Sequence, residues 1–225
     1  MRPKLSIIVP ALNEAAGIVF TLCALVPLRA RGAELIVVDG GSDYGTAELA
    51  AAHADRVLVS ARGRARQMNA GAAMARAPVL LFLHADTQLP EGADRSIQAA
   101  IACGASWGRF DVCITGRARM LRVVAAMMNW RSRLTGIASG DQAIFVTRAD
   151  FQRVGGFPDQ PLMEDIELSR RLRQWAPPTC LRDRVMTSGR RWEQRGVWRT
   201  IFLMWRLRWR YWRGAAPQAL AEAYR

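Results

Sequence analysis

The chain has 225 residues, 51% hydrophobic and 23% charged, which is enough to bury one sizeable core and gives no reason to split it in two. Its formal net charge is +13 and all its basic residues are arginine except Lys4, so the expected partner is anionic: nucleic acid, a membrane surface or a nucleotide-type substrate. Cys23, Cys103, Cys113 and Cys180 form no C-x-x-C pair, which argues against a zinc site or a disulfide framework and fits a reducing compartment.

In chain order, Leu5-Ser6-Ile7-Ile8-Val9 reads as a buried strand. Pro10, Asn13 and Glu14 interrupt the apolar run too early for a secretory signal, and no window reaches the roughly 18 apolar residues of a spanning helix. The expected location is therefore cytoplasmic, in the cytosol or on the inner face of a membrane. Asn13-Glu14-Ala15-Ala16 is expected to open a helix that reaches about Leu25, before Pro27. Leu35-Ile36-Val37-Val38 is a second strand, delivering Asp39 into a turn that holds Gly40, Gly41, Ser42, Asp43 and Gly45. Residues 46–53 are Ala-rich and helical, and Val57-Leu58-Val59 is a third strand.

After Pro78, Val79-Leu80-Leu81-Phe82-Leu83 reads as a strand buried on both faces that runs into His84, Asp86 and Thr87. Such polar groups do not stay in a dry core, so the strand ends in a cleft. Asp86 then stands either where a bound cation or phosphate would be, or as a cap before Pro90-Glu91-Gly92. Alternating strands and helices predict right-handed crossovers and a mostly parallel α/β sheet, with the tips at 10–14, Asp39 and Asp86 converging on one edge. Neither G-x-G-x-x-G nor a P-loop occurs, which leaves a cation on Asp86 as the means of holding phosphate.

Further along, 117–133 alternates arginine with Met120, Leu121, Val124, Met127 and Met128 at helical spacing and is expected to form the wall of a pocket. Asp141 and Gln142 follow Gly140 and precede the apolar strand Ala143-Ile144-Phe145-Val146. Glu164-Asp165 opens an amphipathic helix that packs through Ile166, Leu168 and Leu172. Read structurally, the two acids are a favourable first turn worth about 0.3–1 kcal/mol.

These residues carry a resemblance. Ser6-Ile7-Ile8-Val9-Pro10 with Asn13-Glu14, Val37-Val38-Asp39-Gly40-Gly41-Ser42 with Gly45-Thr46, Asn69 with Gly71, and His84-Ala85-Asp86 resemble the family 2 glycosyltransferases of GT-A fold. Gly155-Gly156-Phe157, then Met163-Glu164-Asp165 through Leu172, and Arg190-Arg191-Trp192 resemble that family's acceptor-side segment and the Arg-Trp element downstream of it. Gly63-Arg64-Ala65-Arg66-Gln67-Met68-Asn69-Ala70-Gly71, Trp107-Gly108-Arg109-Phe110-Asp111 and Ser139-Gly140-Asp141-Gln142-Ala143 are similar to a small bacterial subgroup known as arsenosugar-type or radical-SAM/selenodomain-associated glycosyltransferases. The resemblance covers most of residues 5–195.

The resemblance implies an inverting glycosyltransferase that uses a UDP- or GDP-type nucleoside-diphosphate sugar, a divalent cation (Mn²⁺ or Mg²⁺) and an acceptor that is either a small molecule or lipid-linked. Pro10, Glu14 and Asp39 would hold the base and ribose, with Asn13, Asn69 and Glu164 also in the binding set and Asp141 with Gln142 on the sugar or acceptor side. Asp86 would ligate the cation as the last carboxylate of a D-x-D motif, with His84 in place of the first. Asp165 would be the general base that takes the acceptor proton. Arg190 and Arg191, with Trp192 beside them, would stabilise the negative charge of the departing diphosphate. Arg64, Arg66 and Gln67 lie on a helix starting near the sheet edge, from which one is expected to reach the nucleotide.

The expected organisation is a catalytic domain over 1–195, with a nucleotide-binding half at 1–90 and an acceptor half at 91–195, followed by a helical extension at 196–225. In 197–213, Trp198, Ile201, Phe202, Trp205, Trp209 and Trp212 fall on one stripe with Arg199, Arg206, Arg210 and Arg213 on the flank beside it and only Arg208 on the other side. This stripe is either core or a peripheral contact with an anionic membrane. A basic, non-catalytic protein bound to membrane or nucleic acid is the competing reading. It does not account for Asp39, Asp86 and Asp165, so no nucleic-acid partner is expected.

Overall fold

A computed structural model describes residues 3–224. The elements run β1 (Leu5–Ala11), α1 (Ile18–Ala24), α2 (Val26–Ala30), β2 (Glu34–Asp39), α3 (Thr46–Ala51), β3 (Arg56–Val59), α4 (Arg64–Met74), β4 (Val79–Phe82), β5 (Thr87–Gln88) and α5 (Ala93–Ala102). They continue with β6 (Trp107–Thr115), α6 (Met120–Thr135), a 3-10 turn (Gly140–Gln142), β7 (Ile144–Thr147), α7 (Arg148–Arg153) and α8 (Glu164–Arg173). The chain closes with β8 (Thr179–Ser188), α9 (Arg190–Arg195), α10 (Val197–Trp212) and α11 (Pro217–Tyr224).

One eight-stranded sheet has the order β3-β2-β1-β4-β7-β6-β8-β5. β3, β2, β1 and β4 are mutually parallel, as the strand-helix alternation requires. β7 runs antiparallel to both β4 and β6, so the second half of the sheet is mixed. Every residue of β1, β2 and β4 is buried, because helices cover both faces. Successive side chains alternate between two cores: Ile7, Val9 and Leu81 pack with Leu22 and Phe110, whereas Ile8, Leu80 and Phe82 pack with Met68, Trp107 and Leu168. On α4, a Cβ at Gly71 would sit 2.5 Å from Ile8 Cγ2, so this glycine sets how closely the helix approaches β1.

One local expectation is corrected. The first helix opens at Ile18 rather than at Asn13, because Asn13 is held at φ 56°, a left-handed conformation that does not propagate a helix. The end of α1 falls where expected, at Ala24 with Leu25 as its cap, and Pro27 stands in the first turn of the separate helix α2, where its missing N–H is not needed. On α6 the packed side is Leu121, Val124 and Ala125, with Met128 partly buried, and Met127 faces solvent.

The C-terminal helices close over the start of α8. Leu207 and Leu220 are fully buried against Leu162 and Met163, with Leu203, Met204, Tyr211 and Ile166 packed around them. The face of α10 that packs is therefore not the aromatic stripe, and the expectation that the stripe could be core is not met. Trp198, Phe202, Trp205, Trp209 and Trp212 remain exposed, and only Ile201 of the stripe is partly buried.

Candidate active site

Three parallel strands end at the same edge, and the loops beyond them are tied together by their own polar side chains. Asp39, buried at the end of β2, accepts from the N–H groups of Gly41 (3.1 Å) and Ser42 (2.9 Å) and from the Ser42 hydroxyl, which shapes the glycine turn. Asn13 joins that turn to the end of β1: its N–H donates to Ser42 Oγ (2.9 Å), its amide donates to Asp43 (3.1 Å) and its carbonyl oxygen accepts from Asp43 N (2.9 Å). Glu14, half-buried beyond it, has its carboxyl pushed up by burial and by the neighbouring Asp86 charge, while Arg190, Arg191 and His84 pull it down. Glu14, Asp86, His84 and the start of α9 thus share one electrostatic environment, as the converging tips predict.

The second half of the chain supplies the opposite wall. Asp165 is partly exposed in the first turn of α8; its Oδ2 accepts from Gly140 N at 2.7 Å and its Oδ1 from Ile166 N at 2.8 Å. Beside it Glu164 is buried, and burial and the Asp165 charge raise its carboxyl pKa against the pull of Arg64. Arg64 Nη1 lies 3.3 Å from Glu164 Oε1. Burial works against the charge on Arg64, but Glu164, Asp165 and Asp141 outweigh it and hold the guanidinium above its ordinary value.

His84 Nδ1 is 3.2 Å from Asp141 Oδ1. Although burial opposes ionisation of Asp141, this hydrogen bond and the charges of His84, Arg64 and Arg191 hold its carboxyl below the usual range. His84 Nε2 is sealed from solvent without a partner, packed on Gly140 so closely that a Cβ there would lie 2.5 Å away. His84, Gly140, Glu164 and Asp165 line one small pocket at the join between the two walls.

Among the described residues, non-glycine positive φ angles occur at Asn13 (56°), Ala143 (48°) and Met163 (66°). Asn13 stands next to Glu14, Ala143 closes the turn that carries Asp141, and Met163 immediately precedes Glu164. Such conformations are held at a cost of about 1–3 kcal/mol each, and here they coincide with the loops that carry the acids.

The family model for glycosyl transferase family 2 matches residues 6–150, from β1 into α7. The chain belongs to glycosyl transferase family 2. An uncharacterized glycosyltransferase of Mycobacterium bovis and one of Mycobacterium tuberculosis are each 29% identical over 138 residues, which is 57% of this chain and 59% of the relative. The chain thus spans about 59% of the length of these curated relatives. Staphylococcus aureus TarS 1-349 in complex with UDP-GlcNAc aligns with a TM-score of 0.67 at 17% identity, over 82% of this chain and 58% of that one. The Pyrobaculum calidifontis mannosyltransferase PcManGT, in complex with GDP-Man and Mn²⁺, aligns with a TM-score of 0.63 at 20% identity, over 100% of this chain and 69% of that one. The fold is accordingly the GT-A fold of this family.

Within this family 2 chain, several residues expected at the substrate have other duties. Gln67 is buried and its amide donates to the carbonyls of Ala11 (2.7 Å) and Val38 (2.9 Å), bracing the ends of β1 and β2. Asn69 exchanges hydrogen bonds with the main chain of Phe157 at 2.8 and 3.0 Å. Pro10 is buried inside β1 opposite Val38, and Trp192 packs on the core beneath α9. These four shape the edge from behind. Glu14, Asp86, Asp141, Asp165, Arg190 and Arg191 stand partly or fully exposed around it, and Arg191 stacks on Tyr224 with its guanidinium 5.1 Å from the ring.

Two arginines were not singled out for the site by sequence. Arg131 on α6 has Nη2 buried without a partner, and burial, then the Arg208 charge, push its pKa down to about 10 despite the opposing pull of Asp165. Arg208 on α10 is likewise lowered by burial and pulled up by Asp165 and Asp141. A helical wheel places Arg208 at the edge of the stripe away from the other arginines, but only the packed structure turns it toward Asp165. Among the described residues no set of three or more His, Cys, Asp or Glu groups is arranged to hold a metal ion by itself. Asp86, an exposed hard-oxygen donor beside Glu14, fits a cation that also draws ligands from a bound diphosphate.

Proposed function

We propose that the protein is an inverting glycosyltransferase that moves a sugar from a UDP- or GDP-type donor to an acceptor nucleophile. The observation that carries this reading is Asp165: an accessible carboxylate in a GT-A fold, fixed by two main-chain N–H groups with its neighbour Glu164 tied to Arg64. A base so held can take the acceptor proton as the bond to the anomeric carbon forms, and displacement in one step from the opposite face inverts that carbon. The neighbours crystallised with UDP-GlcNAc and with GDP-Man and Mn²⁺ support the donor class and a divalent cation.

Asp86 would hold that cation together with the diphosphate oxygens. When bound, Mn²⁺ or Mg²⁺ supplies positive charge to the leaving group. Arg190 and Arg191 face the same region and would share the developing charge, while Asp39, Asn13 and Glu14 frame the nucleoside end. In this reading residues 1–90 bind nucleotide and 91–195 bind acceptor, with α6 at the acceptor wall. Arg131 and Arg208 carry no ion-pair partner among the described residues, so an acceptor that brings an anionic group fits beside the base.

Calorimetric titration of UDP- and GDP-sugars with and without Mn²⁺ tests the reading. Binding that needs the cation and is weakened by Asp86→Ala is expected. Donor turnover that survives both EDTA and Asp86→Ala would remove the cation from the mechanism.

A further inference from the structure

Helix α10 has two contrasting faces. One is anchored: Leu207 is fully buried, and Leu203, Met204 and Tyr211 pack around Leu162 and Met163. The other carries Trp198, Phe202, Trp205, Trp209 and Trp212 at spacings of four, three, four and three residues, each between 59% and 80% exposed. Large side chains at these spacings form one continuous strip along the helix, and an apolar strip of that kind marks a contact surface. Trp205 stacks edge-on with Phe202 at 6.3 Å, and Arg213 lies 5.4 Å over the Trp209 ring, so parts of the strip are ordered against each other without touching the core.

The flank of the strip is cationic. Arg199 and Arg206 line a groove of about 590 Å³ together with Phe202, Leu203 and Tyr224. A groove with apolar walls and guanidinium edges matches the junction between acyl chains and anionic headgroups. A second copy of the chain is disfavoured as the occupant, since two molecules of net charge +13 would be brought face to face. Single-stranded nucleic acid is bound in basic channels that track its backbone, with bases stacked inside, whereas here the aromatic rings stand on the outer side of a helix.

We infer that the exposed face of α10 docks on an anionic lipid bilayer, with the helix lying in the interface plane. Tryptophan prefers headgroup depth, and the flanking arginines reach anionic headgroups from there. No helix among the described residues is long and apolar enough to cross a membrane, so the contact is with one leaflet. Because the opposite face of the same helix packs on the start of α8, docking fixes the orientation of Glu164 and Asp165 relative to the bilayer. The inference does not rest on the transferase reading and stands or falls without it.

The test is flotation of the full chain with phosphatidylglycerol–phosphatidylcholine vesicles and with phosphatidylcholine vesicles alone. The protein is expected to float with the anionic vesicles at low salt, much less at high salt, and not with the neutral ones. The triple variant Trp198→Ser, Trp205→Ser, Trp209→Ser should remain in the soluble fraction with its melting temperature unchanged, because those side chains cover no core. If that variant melts early, Arg199→Glu with Arg206→Glu provides the second arm, with binding weakened roughly fivefold for each arginine removed and further by the added acids. The idea is overturned if the intact protein stays soluble with anionic vesicles at low salt, if the charge-reversed variant floats as well as the wild type, or if a single-stranded oligonucleotide binds the aromatic strip while vesicles do not.

Discussion

Asp165 is fixed by Gly140 N and Ile166 N, which orients the carboxylate for its proposed task. Asp165→Asn keeps the shape and one of the two accepted main-chain hydrogen bonds, and removes the basicity. Transfer is expected to fall by about 10²-fold or more while donor affinity in calorimetry stays within a few-fold, since a base acts in the transition state. Near wild-type turnover would make Asp165 structural. Gly140 gives a second test, because an added Cβ would approach His84 Nε2 to 2.5 Å. Gly140→Ala should lower stability by about 1–3 kcal/mol in denaturant titration, as overpacking does, and disturb the His84–Asp141 pair. Residue types at the strand ends were legible in the sequence. Which of them are committed elsewhere was not: Gln67 and Asn69 carry the same amide chemistry as a ligand-binding residue, and only the nearness of Ala11, Val38 and Phe157 shows where it is used.

At the level of elements, β6 explains the Trp107-Gly108-Arg109-Phe110-Asp111 segment. Arg109 is fully buried, donates to Ser132 Oγ (3.1 Å) and the Asn129 carbonyl (3.2 Å), and pairs with Asp111, which also takes two hydrogen bonds from Arg133 at 2.7 and 2.9 Å. Burial alone would raise the Asp111 carboxyl, but hydrogen bonds from Arg133 and Arg109 outweigh it and hold it below its ordinary value. A carboxyl depressed in the folded state contributes stability above the ordinary carboxylate pKa of about 3.9, lost as pH falls below that toward the folded value. Asp111→Asn should cost about 3–5 kcal/mol at neutral pH, because Arg109 is left buried without a charge partner, and should flatten the acid limb of the stability curve. An unchanged acid limb in urea titrations would place that dependence on other groups. On α10 the two faces predict opposite outcomes: Leu207→Ala should lower stability by about 2–5 kcal/mol, and Trp205→Ser should leave the melting temperature unchanged.

For the whole molecule, the C-terminal helices are part of the body that carries the site. Leu207 and Leu220 cover Leu162 and Met163, and Met163 leads directly into Glu164 and Asp165. A chain ended before residue 197 should therefore melt earlier than the full chain and lose activity together with stability. For the same reason it is a poor control for lipid binding, and point substitutions on the exposed face are the better one. A truncated chain with wild-type melting temperature would show that the helices add nothing to the body.

The sequence by itself determined the four parallel strands, the acids at their ends, the family and the two-sided character of 197–213, because each is written in neighbouring residues through local period, turn chemistry and motif spacing. The tertiary structure decided which side of α10 packs, how the mixed half closes the sheet, and that Arg131 and Arg208 approach Asp165 from two helices far apart in the chain. A helical period states that two faces differ, but burial of one depends on what stands opposite. Here that is Leu162 and Met163, far from α10 in the chain and joined to it only by the fold.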